Sequence, residues 1–180
     1  MVKNIVILLF LANISIMSCR ETGDSLVTEE GCTNCDTLYL GYRFGMTLDD
    51  FYDHCRKLNR EGTLFEGDQT NTVTQEIDLT VAARIYIHPD FDEQEKIYRL
   101  KMHFQYNVLP MFRQDLTPLK LRGETLAFME EATGKKFRRK DHPVYKQVWE
   151  NVEGYRRIRL YHEGERVVVE YYDLRHQVTG

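Results

Sequence analysis

Two cysteines separated by two residues can form a redox couple, supply half of a zinc site, or close a small disulfide. The chain has one such pair, Cys32 and Cys35 in the segment "CTNC". A redox couple places its first thiol at the start of a helix, whereas Gly31, Asn34 and Asp36 are residues typical of a turn. The sequence therefore favours a Cys32–Cys35 disulfide, with redox catalysis and zinc binding as the alternatives.

A zinc site would need a second pair of ligands, and His54 with Cys55 is the candidate. Neighbouring residues of a helix point about 100° apart, so these two side chains cannot easily bind one metal ion. Cys55 falls on the apolar stripe of a predicted helix, and we expect it to be a buried free thiol. We predict no metal and no cofactor.

Other catalytic motifs are missing from the sequence. Serine occurs only at positions 15, 18 and 25, ahead of the region expected to fold, which excludes a serine hydrolase. The chain also lacks the His-Glu-x-x-His zinc motif, the Walker loop and the Gly-x-Gly-x-x-Gly fingerprint. Its six histidines are scattered without the spacing of metal ligands. We therefore favour a protein that is not an enzyme.

An acidic stretch, "HPDFDEQE", offers Asp90, Asp92, Glu93 and Glu95 as oxygen ligands for calcium. It lacks the glycine of a tight calcium loop, so a solvated acidic hairpin is the favoured interpretation.

A basic stretch, "KKFRRK", concentrates five cations in six residues: Lys135, Lys136, Arg138, Arg139 and Lys140. We predict that this patch contacts an acidic partner or anionic headgroups; the alternative is a solvated face that balances an acidic first half. Residues 19–107 contain 9 basic and 17 acidic groups, and residues 108–180 contain 14 and 11. A net-acidic exported chain is not expected to bind nucleic acid.

The N-terminus has the order of a secretory signal, with Lys3 followed by an apolar stretch over residues 5–17. Thirteen helical residues span about 20 Å, less than the hydrocarbon core of a bilayer. The segment "ISIMSC" resembles a bacterial lipobox, which implies cleavage after Ser18 and acylation of Cys19. That resemblance predicts a lipoprotein held in the outer membrane, on the periplasmic face or at the cell surface. The alternative is an ordinary signal peptide with a chance cysteine.

The predicted organisation is a signal peptide over residues 1–18, a lipidated tether over 19–36 and a single domain over 37–180. "TLYLGYRF" is predicted as a short strand or extended arm, and a helix is predicted from Thr47, the candidate N-cap. Strands follow in "TVAARIYIH" and "IYRLKMHFQYN", where Tyr98 and Leu100 share one face and Arg99 and Lys101 the other.

A second series follows the first. A helix is predicted in "LRGETLAFMEEATG", with an alternative start at Thr117 and Pro118, and strands in "VYKQVWEN", "YRRIRLYH" and "ERVVVEYYDL". Residues 45–48 and 123–126 match at a spacing of 78, each at a predicted helix start. We predict an α+β fold of two consecutive helix-plus-three-strand units, about 37–107 and 115–176. Their antiparallel sheet has the helices packed on one face.

The stretch "YRFGMTLDDFYDHCRKLNREG" resembles the helix start of the SmpA/OmlA family of outer-membrane assembly lipoproteins. The doubling resembles the tandem repeat of the β-lactamase-inhibitor-protein-like fold. These resemblances cover about twenty residues per repeat and imply a compact fold used for protein contacts.

The expected function is a lipid-anchored, non-enzymatic module that binds or assembles another envelope protein. The alternatives are an envelope glycan-binding protein or carboxylate-based hydrolase, and a structural spacer. The oligomeric state is not predicted.

Overall fold

The structure is a computed structural model, and it describes residues 34–67, 72–108 and 113–176. The described chain is an eight-stranded antiparallel sheet with two α-helices, so the predicted α+β class is confirmed. The helices are α1 (Leu48–Arg60) and α2 (Pro118–Thr133). The strands are β1 (Phe65–Glu66), β2 (Val73–Asp78), β3 (Ala82–Phe91), β4 (Ile97–Tyr106), β5 (Arg138–His142), β6 (Lys146–Glu153), β7 (Arg156–Glu163) and β8 (Arg166–Asp173).

Helix α1 begins where the sequence predicts. Thr47 is its N-cap, and the Thr47 hydroxyl oxygen accepts a hydrogen bond from the Asp50 amide at 3.2 Å. Phe51 and Leu58 are buried, and the Phe51 ring lies edge-on to Phe91 of β3 with ring centroids 5.9 Å apart. The apolar stripe of α1 is therefore the side of the helix that packs on the sheet.

Helix α2 begins at the alternative start. Thr117 is the N-cap, Pro118 occupies the first helical turn, and Gly134 ends the helix in a left-handed conformation with φ of 65°. Residues 123–126 therefore lie inside α2, and Thr125 is fully buried rather than a cap. The predicted match of two helix starts at a spacing of 78 is wrong.

The strand order in the sheet is β1-β2-β3-β4-β8-β7-β6-β5, so β4 and β8 pair at the centre. Four strands follow each helix, and the prediction of three strands per unit is therefore wrong. The additional strands are β1 and β2 in the first half and β5, formed by the basic stretch, in the second. "TLYLGYRF" is also not a strand, since Tyr39–Gly41 form a 3-10 turn.

One face of the sheet carries the main apolar core and both helices, and a smaller buried cluster of Val148, Tyr161 and Val168 lies on the other face. Leu100, Met102 and Phe104 of β4 are buried on this face. The Phe128 ring of α2 lies 5.7 Å from the Phe104 ring, and the guanidinium of Arg122 stacks 4.2 Å above Trp149 of β6. The prediction that both helices pack on one face of an antiparallel sheet agrees with these contacts.

The pairing of β3 with β4 contains a bulge. Phe91 is opposite Ile97 and Asp90 is opposite Arg99, so Tyr98 has no partner in β3. An extra residue in one strand reverses the alternation of side chains at that point. Ile97 is consequently 1% exposed in the core. Tyr98 instead contacts Tyr172 and His176, and the prediction that it shares a face with Leu100 is wrong.

The N-terminal arm is part of the fold from the first described residues. Cys35, which the sequence analysis assigns to the tether, is 1% exposed. Arg175 forms an ion pair with Asp36 at 3.2 Å, and Arg156 donates to the Thr37 carbonyl at 2.8 Å. Neither of the two described helices has the length and apolar character needed to cross a membrane.

Candidate functional site

The predicted lipidation site and half of the predicted disulfide, Cys19 and Cys32, lie outside the described residues, as do the signal peptide and residues 19–33 of the tether. Cys35 is disulfide-bonded, and its sulfur lies 2.9 Å from the Glu153 carbonyl oxygen. Its pairing with Cys32 stays a prediction. Cys55 is a free thiol that is half-buried, and burial raises its pKa, so it is not an activated nucleophile.

The predicted calcium loop is a hairpin whose acids have protein partners. Asp90 accepts a hydrogen bond from Arg99 at 2.6 Å, and one oxygen of Asp92 accepts the backbone amides of Gln94 and Lys96, both at 2.9 Å. Within residues 34–67, 72–108 and 113–176, no group of three or more His, Cys, Asp or Glu side chains is placed to hold a metal ion.

The structure separates the predicted basic patch into paired and unpaired cations. Lys135 contacts Glu153 at 2.8 Å and Lys140 contacts Glu150 at 2.5 Å. Lys136 forms an ion pair with Glu130. Arg138 and Arg139 form no ion pair with any described residue, and both side chains are exposed. The unpaired charge of the patch therefore lies in β5.

The sheet face opposite the helices brings together basic side chains from several strands. Because directly opposed residues of paired strands share a face, Lys101, Glu170 and Arg159 form one row, and Arg99, Tyr172 and Arg157 form the next. We refer to this surface as the helix-free face. We refer to Arg99, Arg157, Arg159 and the acid between them, Glu170, as the arginine cluster.

Glu170 is only partly paired within the arginine cluster. It is 8% exposed, and its closest cations are Arg157 at 3.5 Å and Arg99 at 4.0 Å. No side-chain hydrogen bond in the described region reaches its carboxylate. Two arginines thus approach this carboxylate at distances longer than a charge-assisted hydrogen bond. Arg159 lies opposite Glu170 in β7 but forms its ion pair with Glu150.

Arg157 has the least favourable electrostatic environment of this cluster. Burial lowers its pKa, and the neighbouring charge of Arg159 lowers it further. Its Nε–H is buried and has no hydrogen-bond acceptor among the described residues, and its guanidinium lies 4.7 Å above the Tyr172 ring. A cation held under these conditions is better stabilised when an additional anion approaches it.

Arg159 is fixed by a second acid, Glu150 of β6. The Arg159 Nη2 group donates to Glu150 at 2.7 Å, Nε donates to the same oxygen at 3.1 Å, and Lys140 donates to the other oxygen. Burial alone would raise the pKa of Glu150, but the donors on Lys140 and Arg159 lower it below its ordinary value. Glu150 is therefore an ionised structural partner that positions Arg159.

An aromatic group borders the arginine cluster. The bulge turns Tyr98 onto the helix-free face, where it stacks on His176 with ring centroids 3.9 Å apart. The Tyr98 and Tyr172 rings are edge-on at 6.2 Å, and the Tyr172 hydroxyl donates to the His176 carbonyl at 2.7 Å. Tyrosine next to arginine is the composition enriched where protein interfaces carry most of their binding energy.

Where the pKa of an Asp or Glu in the described region departs clearly from its ordinary value, it is lowered. In Glu153 and Glu130 the lysine partners, Lys135 and Lys136, are the main cause. A general acid would need a raised pKa, so these two side chains are ionised partners of lysines.

Sequence analysis identified the alternation of Arg99 and Lys101 on the polar side of β4. Alternation within β7, "RRIRLYH", places Arg157 and Arg159 on one face. The missing information was the long-range pairing of β4 with β8, which brings the two strands to one surface. Comparisons of this chain with protein-family models, with curated proteins and with solved structures find no match.

Proposed function

We propose that this protein is a lipid-anchored component of the bacterial cell envelope, attached to the outer membrane through Cys19. We further propose that it binds another envelope protein through the helix-free face of its sheet and is not an enzyme. The partner presents an acidic surface patch to the arginine cluster. The single observation that carries this proposal is the incompletely paired carboxylate of Glu170, with Arg157 at 3.5 Å, Arg99 at 4.0 Å and Arg159 directly opposite it in β7.

Charge complementarity supports an acidic partner. Glu170 is directly opposite Lys101 on one side and Arg159 on the other, and Arg99 and Arg157 lie on the adjacent row. A carboxylate of the partner near Arg157 would reduce the repulsion between Arg157 and Arg159. It would also supply an acceptor for a guanidinium whose Nε–H has none. Such contacts raise the association rate and select for acidic partners.

The aromatic border supports a protein as the partner. Tyr98 and Tyr172 are held by ring contacts and a hydrogen bond, so binding would not require them to lose much side-chain freedom. Rigid tyrosines beside arginines are typical of the energetically important centre of protein interfaces.

Site-specific photo-crosslinking in cells tests this function. A photoreactive amino acid at Lys101 should give a discrete crosslinked product of higher mass, whereas the same group at Lys57, exposed on α1 behind the sheet, should give none. Arg157→Gln should remove the Lys101 product. The charge-matched control Lys57→Gln should not. Mass spectrometry of the product should identify an acidic protein.

Three outcomes would count against the proposal. Equal products from both positions would mean that the face has no specificity. No product at Lys101 would leave the face without a partner. A product that is an envelope glycan would favour the glycan-binding alternative.

Lipid attachment has its own test. Mass analysis of the mature wild-type protein should show an acylated N-terminal Cys19, and Cys19→Ala should move the protein from the membrane to the soluble fraction. Unchanged fractionation of Cys19→Ala, together with a wild-type mass lacking acyl chains, would refute the lipid anchor.

A further inference from the structure

We propose that the outer edge of β5 binds an extended acidic segment of a protein, which adds to the sheet as a ninth strand. The site is the backbone edge of Arg138–His142 with the side chains of Arg138 and Arg139. This surface differs from the arginine cluster, and the inference does not depend on the function proposed above.

The position of β5 in the sheet leaves one backbone edge unpaired. Among the described residues the strand order ends at β5, which pairs only with β6, from Arg138 opposite Glu150 to His142 opposite Lys146. All five residues are exposed or partly exposed. At about 3.3 Å per residue the edge is about 17 Å long. In an antiparallel sheet, alternate residues of such a strand direct their N–H and C=O groups away from the neighbouring strand, where an added strand can bind them.

The edge is held in its strand conformation at both ends. The Asn151 side chain donates to the Lys136 carbonyl at 3.0 Å just before β5. Beyond its last residue, the His142 Nδ1 atom accepts the amides of Val144 and Tyr145, both at 3.2 Å, and the His142 ring stacks on Tyr145. A preformed edge pays little ordering entropy when a strand is added.

The charges on this edge define the partner. Arg138 lies opposite Glu150 on the helix-free face, and Arg139 lies opposite Trp149 on the helix-packed face. Neither arginine has an ion pair among the described residues, so an added strand would meet an exposed arginine without an ion-pair partner on each of its two faces. Acidic residues at adjacent positions of that strand would satisfy both. Val144, 74% exposed just beyond the strand, can contact an apolar residue at the end of the segment.

The same cations select against other strands. Lysine and arginine on an edge strand normally prevent unwanted pairing. Two copies of this protein joined antiparallel through β5 would place Lys140 opposite Lys140 and bring two strands of net positive charge together, which repulsion disfavours. An acidic segment converts the same charges into attraction, so we assign the site to such a segment and not to a second copy.

Binding of defined peptides to the full mature chain tests the inference. The main probe is a fluorescent ten-residue peptide of Glu and Val, in which the two residues alternate near the ends and Glu residues are adjacent at the centre. The two control probes are the same peptide with Lys in place of Glu and a version of the acidic peptide N-methylated at alternate amides. N-methylation keeps the charge and removes strand hydrogen bonds. We expect the acidic peptide to bind at least tenfold more tightly than either control. Arg138→Gln with Arg139→Gln should weaken binding at least tenfold, and Lys57→Gln with Arg60→Gln should not.

Amide hydrogen exchange identifies the contact. The acidic peptide should slow exchange in residues 138–142, and Arg157→Gln should leave that protection unchanged. Three results would each overturn the inference. The N-methylated peptide could bind as tightly as the acidic peptide, or the protection from exchange could be confined to β4 and β8. The protein could also self-associate in a way that Arg138→Gln with Arg139→Gln abolishes. If Arg157→Gln removes the Lys101 crosslink but leaves peptide binding at β5 unchanged, that result tests only the function proposed for the helix-free face.

Discussion

The two cations bound to Glu150 should contribute very differently to stability, and the less exposed one should contribute more. The Glu150 side chain is 6% exposed, Arg159 is 17% exposed and Lys140 is 56% exposed. Lys140 makes the shorter contact, at 2.5 Å against 2.7 Å for Arg159. If contact distance determined the energy, Lys140 would matter more. If burial determines it, Arg159 would matter more.

The burial argument gives a clear difference in magnitude. Removal of one partner from a buried ion pair costs about 3 kcal/mol, because the remaining charge stays desolvated. An ion pair with a half-exposed lysine is worth about 0.5 kcal/mol, since water replaces the lost contact. We therefore expect Arg159→Gln to lower the free energy of unfolding by about 3 kcal/mol and Lys140→Gln by about 0.5 kcal/mol.

Urea unfolding at pH 7, followed by the fluorescence of Trp149, the chain's one tryptophan, measures both values. With a slope of about 2 kcal/mol per molar urea, the midpoints should fall by about 1.5 M and about 0.25 M. Lys57→Gln removes an exposed charge without an ion pair in the described region and should leave the midpoint unchanged. A Lys140→Gln shift equal to or larger than the Arg159→Gln shift would refute the burial argument.

The same pair predicts a pH dependence. The folded-state pKa of Glu150 is lowered, so its ionised form stabilises the fold above the unfolded-state pKa of about 4.3. That contribution is lost as the pH falls through the lower folded-state pKa. The stability difference between wild type and Arg159→Gln should therefore shrink in strong acid.

Two further perturbations test the described packing. Burial, followed by the charge of His88, lowers the pKa of His103 to about 4, so the unfolded chain binds more protons than the folded chain between pH 6.5 and 4. The free energy of unfolding from urea titrations should therefore decrease as the pH falls from 6.5 to 4, and it should decrease less steeply in His103→Gln. Parallel pH curves for the two proteins would contradict the argument. Thr125 is fully buried, and its hydroxyl has no hydrogen-bond partner among the described residues, so Thr125→Val should raise stability by up to about 1 kcal/mol. The control Thr133→Val loses a 2.6 Å hydrogen bond to the Met129 carbonyl and should lower thermal stability instead.

Local sequence signals predicted those elements whose causes are local. Helix α1 is one example, because the Thr47 cap and the apolar stripe through Phe51 and Leu58 agree on the same start. The four-residue match at 123–126 failed because a buried threonine inside a helix and a capping threonine look alike in a short motif. Only the tertiary environment of Thr125 distinguishes the two.

Strand β5 could not be predicted from alternation. An edge strand whose two faces are both accessible to solvent does not need an apolar side, and "RRKDH" has none. The pairing with β6 determines its conformation. The bulge at Tyr98 was missed for a related reason, since alternation within one strand contains no information on an extra residue relative to its partner.

The candidate site was predicted only as separate pieces. Alternation assigned Arg99 and Lys101 to the polar side of β4, and composition identified "KKFRRK" as a basic patch. Both are one-dimensional features. The arginine cluster depends on β8 pairing with both β4 and β7. The β7–β8 pairing is a hairpin, but the β4–β8 pairing joins residues about seventy positions apart in sequence, such as Lys101 and Glu170. Contacts of that range are not determined by any local pattern.

The lysines of the basic patch form their ion pairs within their own half of the chain. The partners of Lys135, Lys136 and Lys140 all lie within residues 108–180. The second half therefore neutralises its own lysines and leaves Arg138 and Arg139 without ion pairs in the described chain, at the edge of the sheet. These two arginines are the charges that the proposed acidic segment would contact.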